Sequence, residues 1–302
     1  MIYIYSNKSE KTTNDVICWI YKYSLSFTRP NENDSKEFKN NILLTNLNVK
    51  KNSFWFRKYH LNKPTLSNIH TINNYLQNEL LIVNNFIIKQ LEKKPHIGNY
   101  FQRVPNKLWH LEMAKQAGLD IPTMLVTTQK IEAIAFKKEH SAIINKSIKD
   151  SFMGTFDGVY YYNHTERVSD QVLEELDEEF FPTLFQEEIP KMYELRVIFV
   201  HEKMWAGAIM SQSDPKTSLD WRNYNHQKPN RIVPYKLPSE VEEKIRKFAQ
   251  LADLNTGAID MIVSKDKRYV FLECNPNGQI SMVSEKCNYP IEKYIADFLA
   301  NA

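Results

Sequence analysis

Apolar residues recur along this chain at two spacings, about 3.6 residues and two, and the switches between them mark out its elements. Residues 1–6 read as a strand. Thr12 and Thr13 then stand where a helix over residues 14–24 needs a cap, with Val16, Ile17, Trp19 and Ile20 as its apolar face. Further strands are predicted at residues 27–29, 42–44 and 52–59. A long helix over residues 67–93 carries Ile72, Tyr75, Leu76, Leu80, Val83, Phe86, Ile87 and Leu91 at helical spacing. Strands alternating with helices predict a mainly parallel sheet covered by helices, so residues 1–105 read as a small α/β lobe, either a scaffold or a contributor to substrate binding.

The Pro and Gly content of residues 95–105 marks a linker. After it come a helix over residues 106–117 closed by Gly118, a strand at 124–127, and a short apolar strand at 142–146 that ends in Lys146. Residues 165–179 are acidic and read as a helix with a solvated face, and residues 181–189 as a strand stopped by Pro190. Glu194 and Arg196 share one face of a strand at 193–200, against which residues 203–209 pair back. A basic, aromatic loop with Asp220, Trp221, Arg222, Tyr224, Lys228 and Arg231 precedes a helix over residues 239–253. The last helix, 291–299, has Ile291, Ile295, Phe298 and Leu299 on its apolar face.

The sharpest chemical signal lies between Gly257 and Gln279. Two short apolar runs, 258–263 and 269–274, flank the polar turn Lys265-Asp266-Lys267, which is the pattern of a β-hairpin. Asp260 sits in the first strand, and Glu273 and Asn275 close the second. Side chains alternate along a strand, so Glu273 and Asn275 face the same way and an antiparallel partner can set Asp260 beside them. Two carboxylates and an amide oxygen suit Mg²⁺, which takes one or two protein carboxylates together with phosphate oxygens. A salt-bridged hairpin is the plainer alternative. Three acceptors among Ile259, Met261, Leu272 and Cys274 repel one another when buried unless a cation joins them.

Lys146 stands before a loop with Gly154, Gly158 and several hydroxyls, which can hold nucleotide phosphates or be an ordinary hairpin turn. Neither GxxxxGK[ST] nor GxGxxG occurs, so a Walker-type nucleoside triphosphatase and a Rossmann dehydrogenase find no support.

Asp260, the hairpin and then Glu-x-Asn-Pro at 273–276 resemble the magnesium-binding end of ATP-grasp ligases. The run Glu-Cys-Asn-Pro-Asn-Gly-Gln-Ile-Ser-Met-Val-Ser at 273–284, continuing into Cys-Asn-Tyr-Pro at 287–290, resembles a narrower branch: the graspetide (ω-ester-containing peptide) maturases of the microviridin and grasp-with-spasm types. The resemblance covers nearly the whole chain. It implies an ATP-grasp fold with an N-terminal lobe (1–105), a central lobe (106–185) and a C-terminal lobe (186–302), the last two sandwiching ATP. It assigns the α/β-phosphates to Lys146 under a lid at residues 151–158, with Lys107 either a further phosphate contact or merely solvated. Backbone groups at Glu188 and Ile189, flanked by Gln186 and Glu187, are implied to hold adenine. Glu194 is implied for the ribose, Arg196 for the γ-phosphate, and Asp260, Glu273 and Asn275 for Mg²⁺. For Glu194 and Arg196 a cross-strand salt bridge is the alternative. Arg222 and Arg231 are candidates for the cations needed where a carboxylate meets a triphosphate.

The implied activity is that of an ATP-dependent macrocyclase of a ribosomal precursor peptide. An Asp or Glu side chain becomes an acyl phosphate, and a Ser, Thr or Lys side chain closes an ester or amide. A leader segment docked on the central lobe and a homodimer are implied as well. The alternatives are a ligase of the same fold that adds an amino acid to a small molecule or protein terminus, and a nucleotide-binding protein without turnover.

At 302 residues, 42% hydrophobic and 25% charged, the chain suits a globular protein of two or three lobes. A net charge of +3 is too small to argue for nucleic acid, although a basic groove for an acidic peptide stays open. The three cysteines have neither pairing nor metal spacing, the start lacks a signal-peptide pattern, and no window approaches ~18 apolar residues. A reducing cytoplasm with no membrane partner is therefore expected.

Overall fold

The computed structural model describes residues 1–30, 52–58, 64–149, 153–162 and 165–302. The strand expected at 42–44 and residues 151–152 of the expected lid lie outside them. The first lobe contains β1 (Ile2–Tyr5), α1 (Lys11–Lys22), β2 (Phe27–Thr28), β3 (Ser53–Phe56), α2 (His70–Leu91) and β4 (His96–Ile97). Its sheet has the order β2-β1-β3-β4 and is parallel throughout, as strand–helix alternation predicts.

Three local expectations change here. The first helix starts at Lys11 instead of Asn14, and its cap is Glu10, whose carboxylate accepts the Thr13 N–H at 2.6 Å. Thr12 and Thr13 are buried in the first turn, and a carboxylate there complements the helix dipole. Residues 95–105 are no linker: they hold β4 and a 3₁₀ turn, Tyr100–Gln102, with Ile97 and Tyr100 buried. Gly98 serves close packing, since a Cβ there would lie 2.3 Å from the Phe56 carbonyl oxygen. Finally, α2 buries Asn84, Ile87, Ile88 and Leu91 but exposes Ile72, Tyr75, Leu76, Val83 and Phe86.

The middle of the chain forms α3 (Lys107–Gln116), β5 (Met124–Gln129), α4 (Lys130–Glu139), β6 (Ile143–Lys146), the hairpin β7 (Met153–Phe156) and β8 (Val159–Tyr162), β9 (Glu166–Arg167), α5 (Asp170–Glu175) and β10 (Glu179–Glu187). The sheet is antiparallel in the order β5-β10-β6-β9. The acidic stretch at 165–179 is helical only over α5, because Glu166 and Arg167 pair with β6 and Glu179 already pairs with β5. The sequence reading had no counterpart to α4, which begins at Lys130 directly after β5 ends at Gln129, with no turn residue between them.

The remainder builds β11 (Lys191–Val200), β12 (Lys203–Ile209), a short α6 (Pro215–Ser218), β13 (Ile232–Tyr235), α7 (Ser239–Leu251), β14 (Thr256–Ser264), β15 (Tyr269–Asn275), α8 (Ser281–Cys287) and α9 (Ile291–Asn301). Its antiparallel sheet runs β13-β12-β11-β14-β15. Leu195, Val197 and Phe199 on one face pack with Leu111 and Ala114 of α3 and with Ile245 and Phe248 of α7. Ile198 and Val200 on the other face meet α8, α9 and the first lobe. Every residue of β14 is buried, so Asp260 is held in a wholly enclosed strand. Among the described residues no helix is long and apolar enough to cross a membrane.

Candidate active site

Three neighbouring strands bring the central charges into one row. In the ladder register Arg196 of β11 stands opposite Asp260 of β14, and Asp260 opposite Glu273 of β15. Arg196 Nη1 donates to Asp260 Oδ1 at 2.8 Å, with both side chains buried. The next pair along β15 is Met261 with Phe271, which leaves Leu272 as an extra residue, a β-bulge. It lets Phe271 and Cys274 enter the core while Leu272 and Glu273 line a cavity. Asn275 follows on, opposite Ala258, with its Oδ1 accepting the Asn277 N–H at 2.9 Å. A Cβ on Gly278 would fall 2.4 Å from Ala258 Cβ and 2.8 Å from Arg196 Nη2, so this glycine leaves the guanidinium its room.

Cations from three elements converge on Glu273. Arg222 Nη1 lies 2.8 Å from Oε1, and Lys107 Nζ 3.0 Å from Oε2. Lys107 is aimed by its place at the first position of α3, whose cap Asn106 accepts the Trp109 N–H. Arg222 is also gripped by Asp220, with Nε at 2.9 Å from Oδ1 and Nη2 at 2.8 Å from Oδ2. Lys146 ends β6 and lines the same cavity, and its side chain makes no hydrogen bond or ion pair among the described residues. Burial pushes its pKa down, against the pull of Glu273. Burial would raise the Glu273 carboxyl, but Lys146, Arg222 and Lys107 hold it below the usual range. At Asp260 burial wins and raises it, against Arg196. Lys107, Lys146, Arg196 and Arg222 thus face Asp220, Asp260 and Glu273, leaving one positive charge in excess. Such a site attracts an anion.

The cavity, about 440 Å³, extends from Lys146, Asp220, Arg222, Asp260 and Glu273 to Gln186, Glu187, Glu188 and Ile189 at the end of β10, while Lys107, Arg196 and Asn275 stand behind its lining. Gln186 is buried, and its Oε1 has no hydrogen-bond partner among the described residues. Glu187 accepts the Thr123 N–H at 2.8 Å, and Arg167 chelates Glu188 with two bonds of 2.7 Å. The Glu188 N–H goes to the Ala142 carbonyl at 2.9 Å. The Glu188 C=O and the Ile189 N–H, which point opposite ways from one trans peptide, have no partner among the described residues, so that peptide can offer the cavity an acceptor or a donor. Glu194 lines the cavity but is already engaged, accepting from Lys191 Nζ and from Ser211 Oγ, each at 2.8 Å. Burial raises its pKa and Lys191 opposes that. Arg231 is exposed just before β13 and does not line the cavity. Lys191 and Asp220 were not anticipated. For Asp220 the one signal was its place two residues before Arg222.

Among the described residues no three His, Cys, Asp or Glu side chains cluster in a way that could enclose a metal by themselves. Asp260 and Glu273 offer two carboxylates side by side, and the buried Glu273 Oε2 makes no hydrogen bond, its neighbour being the Lys107 ammonium. That set fits a hard cation completing its shell with phosphate and water.

Residues 105–299 match the family described as the RimK-like ATP-grasp domain. Comparison with curated proteins gives no match. Among solved structures, the chain is similar to the RiPP-associated ATP-grasp ligase of Chryseobacterium gregarium in complex with ADP and a leader and core peptide. Identity is 24%, the TM-score 0.78, and the match covers 99% of this chain and 96% of that one. It is also similar to the macrocyclase MdnC from Microcystis aeruginosa MRC, bound with precursor peptide MdnA, at 23% identity and a TM-score of 0.75 over 100% and 99% of the two chains. A third, the ATP-grasp ligase PsnB complexed with minimal precursor, Mg and ADP, has 15% identity and a TM-score of 0.71 over 99% and 96%. At these identities the likeness is one of fold. With well over half of its length in the matched domain, the chain belongs to the RimK-like ATP-grasp family.

Proposed function

We propose that this protein is an ATP-dependent macrocyclase of a ribosomal precursor peptide. The observation that carries the reading is the row Arg196–Asp260–Glu273, ringed by Lys107, Lys146 and Arg222 at one end of a nucleotide-sized cavity. Its end-to-end likeness to peptide-bound ATP-grasp enzymes supports the choice of substrate. Gln186 and the backbone at Glu188 and Ile189 hold the adenine, with Glu187 beside them. Glu194 faces the ribose, Lys146 the α/β-phosphates and Arg196 the γ-phosphate. Asp260 and Glu273, with Asn275, would hold Mg²⁺, which supplies charge neutralisation on the phosphates.

A peptide carboxylate oxygen attacks the γ-phosphorus, the bond to the β,γ-bridging oxygen breaks, and ADP leaves. A hydroxyl or amine of the same peptide then attacks the acyl carbon, phosphate departs, and the nucleophile gives up its proton. Lys107, Arg222 and Arg196 offset the charge that develops. No protein nucleophile is required. Labelling the peptide carboxylates with ¹⁸O tests this route: one label should appear in each phosphate released, and unlabelled phosphate contradicts it.

The working unit is a homodimer, supported by the exposed side of α2. Ile69, Ile72, Tyr75, Leu76, Ile82, Val83 and Phe86 are all exposed and fall on one side of a helix about 33 Å long. Glu79 is the only acidic or basic residue on that side, so a second copy can cover it with little charge desolvated. Cys18, Cys274 and Cys287 are free thiols, which supports a cytoplasmic setting.

A further inference from the structure

Arg222 divides its guanidinium between two carboxylates. The Nε/Nη2 edge is bound side-on by Asp220, while Nη1 alone reaches Glu273 Oε1. Asp220 is itself immobilised. Its Oδ1 accepts the Arg222 backbone N–H at 3.0 Å, its Oδ2 accepts Thr165 Oγ1 at 3.0 Å, and its C=O accepts the Asn223 N–H at 3.0 Å. Its side chain is only 11% exposed. The Thr165 bond also joins the β8–β9 connection to the loop before β13, and both residues line the cavity.

A guanidinium prefers to meet a carboxylate with its two-pronged edge. Freed from Asp220, Arg222 can turn that edge onto Glu273 and occupy both carboxylate oxygens. Glu273 would then be less open to a metal, and Arg222 less open to a phosphate. We infer that Asp220 is a positioning residue that prevents Arg222 from clamping Glu273 and so sets how readily the site takes Mg²⁺ and phosphate. The inference rests on the nucleotide-site reading above.

The test is calorimetric titration with Mg²⁺ and a non-hydrolysable ATP analogue, on the full chain and its Asp220→Ala, Arg222→Ala and doubly substituted forms. Asp220→Ala should weaken Mg²⁺-dependent binding about tenfold, a typical coupling for residues in contact. In the Arg222→Ala background the same substitution should change it less than about twofold. Equal weakening in both backgrounds overturns the inference, because Asp220 would then act without Arg222. Asp220→Asn keeps an acceptor for Thr165 and the turn while losing the charge. It should fall between wild type and Asp220→Ala, and wild-type binding in that variant also overturns the inference. If the unaltered protein binds no analogue, the nucleotide-site reading fails first and takes this inference with it.

Discussion

Asp260 and Glu273 stand directly opposite each other on β14 and β15, at the last register position before the ladder slips by one residue. Two buried carboxylates at that spacing repel unless cations separate them. Arg196 answers Asp260 from one side, and Lys107 and Arg222 answer Glu273 from the other. Glu273→Gln removes the charge on which three cations converge while keeping the shape. Turnover, followed as ADP release, should fall on the order of 100-fold or more. Nucleotide binding measured without Mg²⁺ should be partly retained. Normal turnover in this variant would remove Glu273 from the metal site.

Gly278 is the second sensitive point. An alanine there pushes on Ala258 and on Arg196, and the turn it sits in is held by Arg57 Nη2 bonding the Gly278 carbonyl at 2.9 Å. Gly278→Ala should lower stability by about 1–3 kcal/mol, as overpacking does, and weaken nucleotide binding. Denaturant midpoints and analogue titrations check both, and an unchanged midpoint would mean the turn relaxes freely.

The first lobe carries an acid-sensitive link. Burial would raise the Glu10 carboxyl, but the charge and hydrogen bond of Arg57, with the Thr13 hydroxyl and amide, bring it down to about 2. A carboxylate whose folded pKa lies below its unfolded value stabilises above the unfolded value, near 4.5, and loses that contribution as pH falls towards about 2. Up to ~3 kcal/mol is at stake. Between about pH 5 and 3 the unaltered protein should therefore lose stability more steeply than Glu10→Gln. Parallel slopes would show that the Glu10–Arg57 pair contributes nothing.

Ile82 and Phe86 are 68% and 60% exposed on α2. Replacing both by Glu should convert a dimer to a monomer in sedimentation while leaving the melting temperature of the monomeric unit within a few degrees. A wild-type monomer, or a variant that stays dimeric, excludes this surface as the interface.

Much of the C-terminal lobe was legible because its strands are long, apolar and separated by unmistakable turns. Residues 203–209 form β12 as read, and the hairpin around Lys265-Asp266-Lys267 lies where its pattern put it. The bulge at Leu272 was not legible. Strict alternation sets Phe271 and Glu273 on one face, whereas the extra residue sends the first to the core and the second to the cavity. Helical spacing showed that α2 is amphipathic but not which part of its wide apolar surface the lobe covers. Asp220 escaped notice because its role depends on a contact with Arg222 that sequence spacing allows without requiring. Glu10 does not stand out as a cap in the sequence because hydroxyl and short acidic side chains are the usual caps, and the burial of Thr12 and Thr13 is a tertiary fact.

The central claim is tested most directly by intact mass measurement of a candidate precursor peptide incubated with the protein, ATP and Mg²⁺. The expected result is loss of one or more waters from the peptide, with one ADP formed per water lost, absent without ATP and slowed on the order of 100-fold or more with Glu273→Gln. An ATP-dependent gain in mass would contradict macrocyclisation and point to an amino-acid ligase. An unchanged peptide alongside ATP consumption would contradict a peptide substrate altogether.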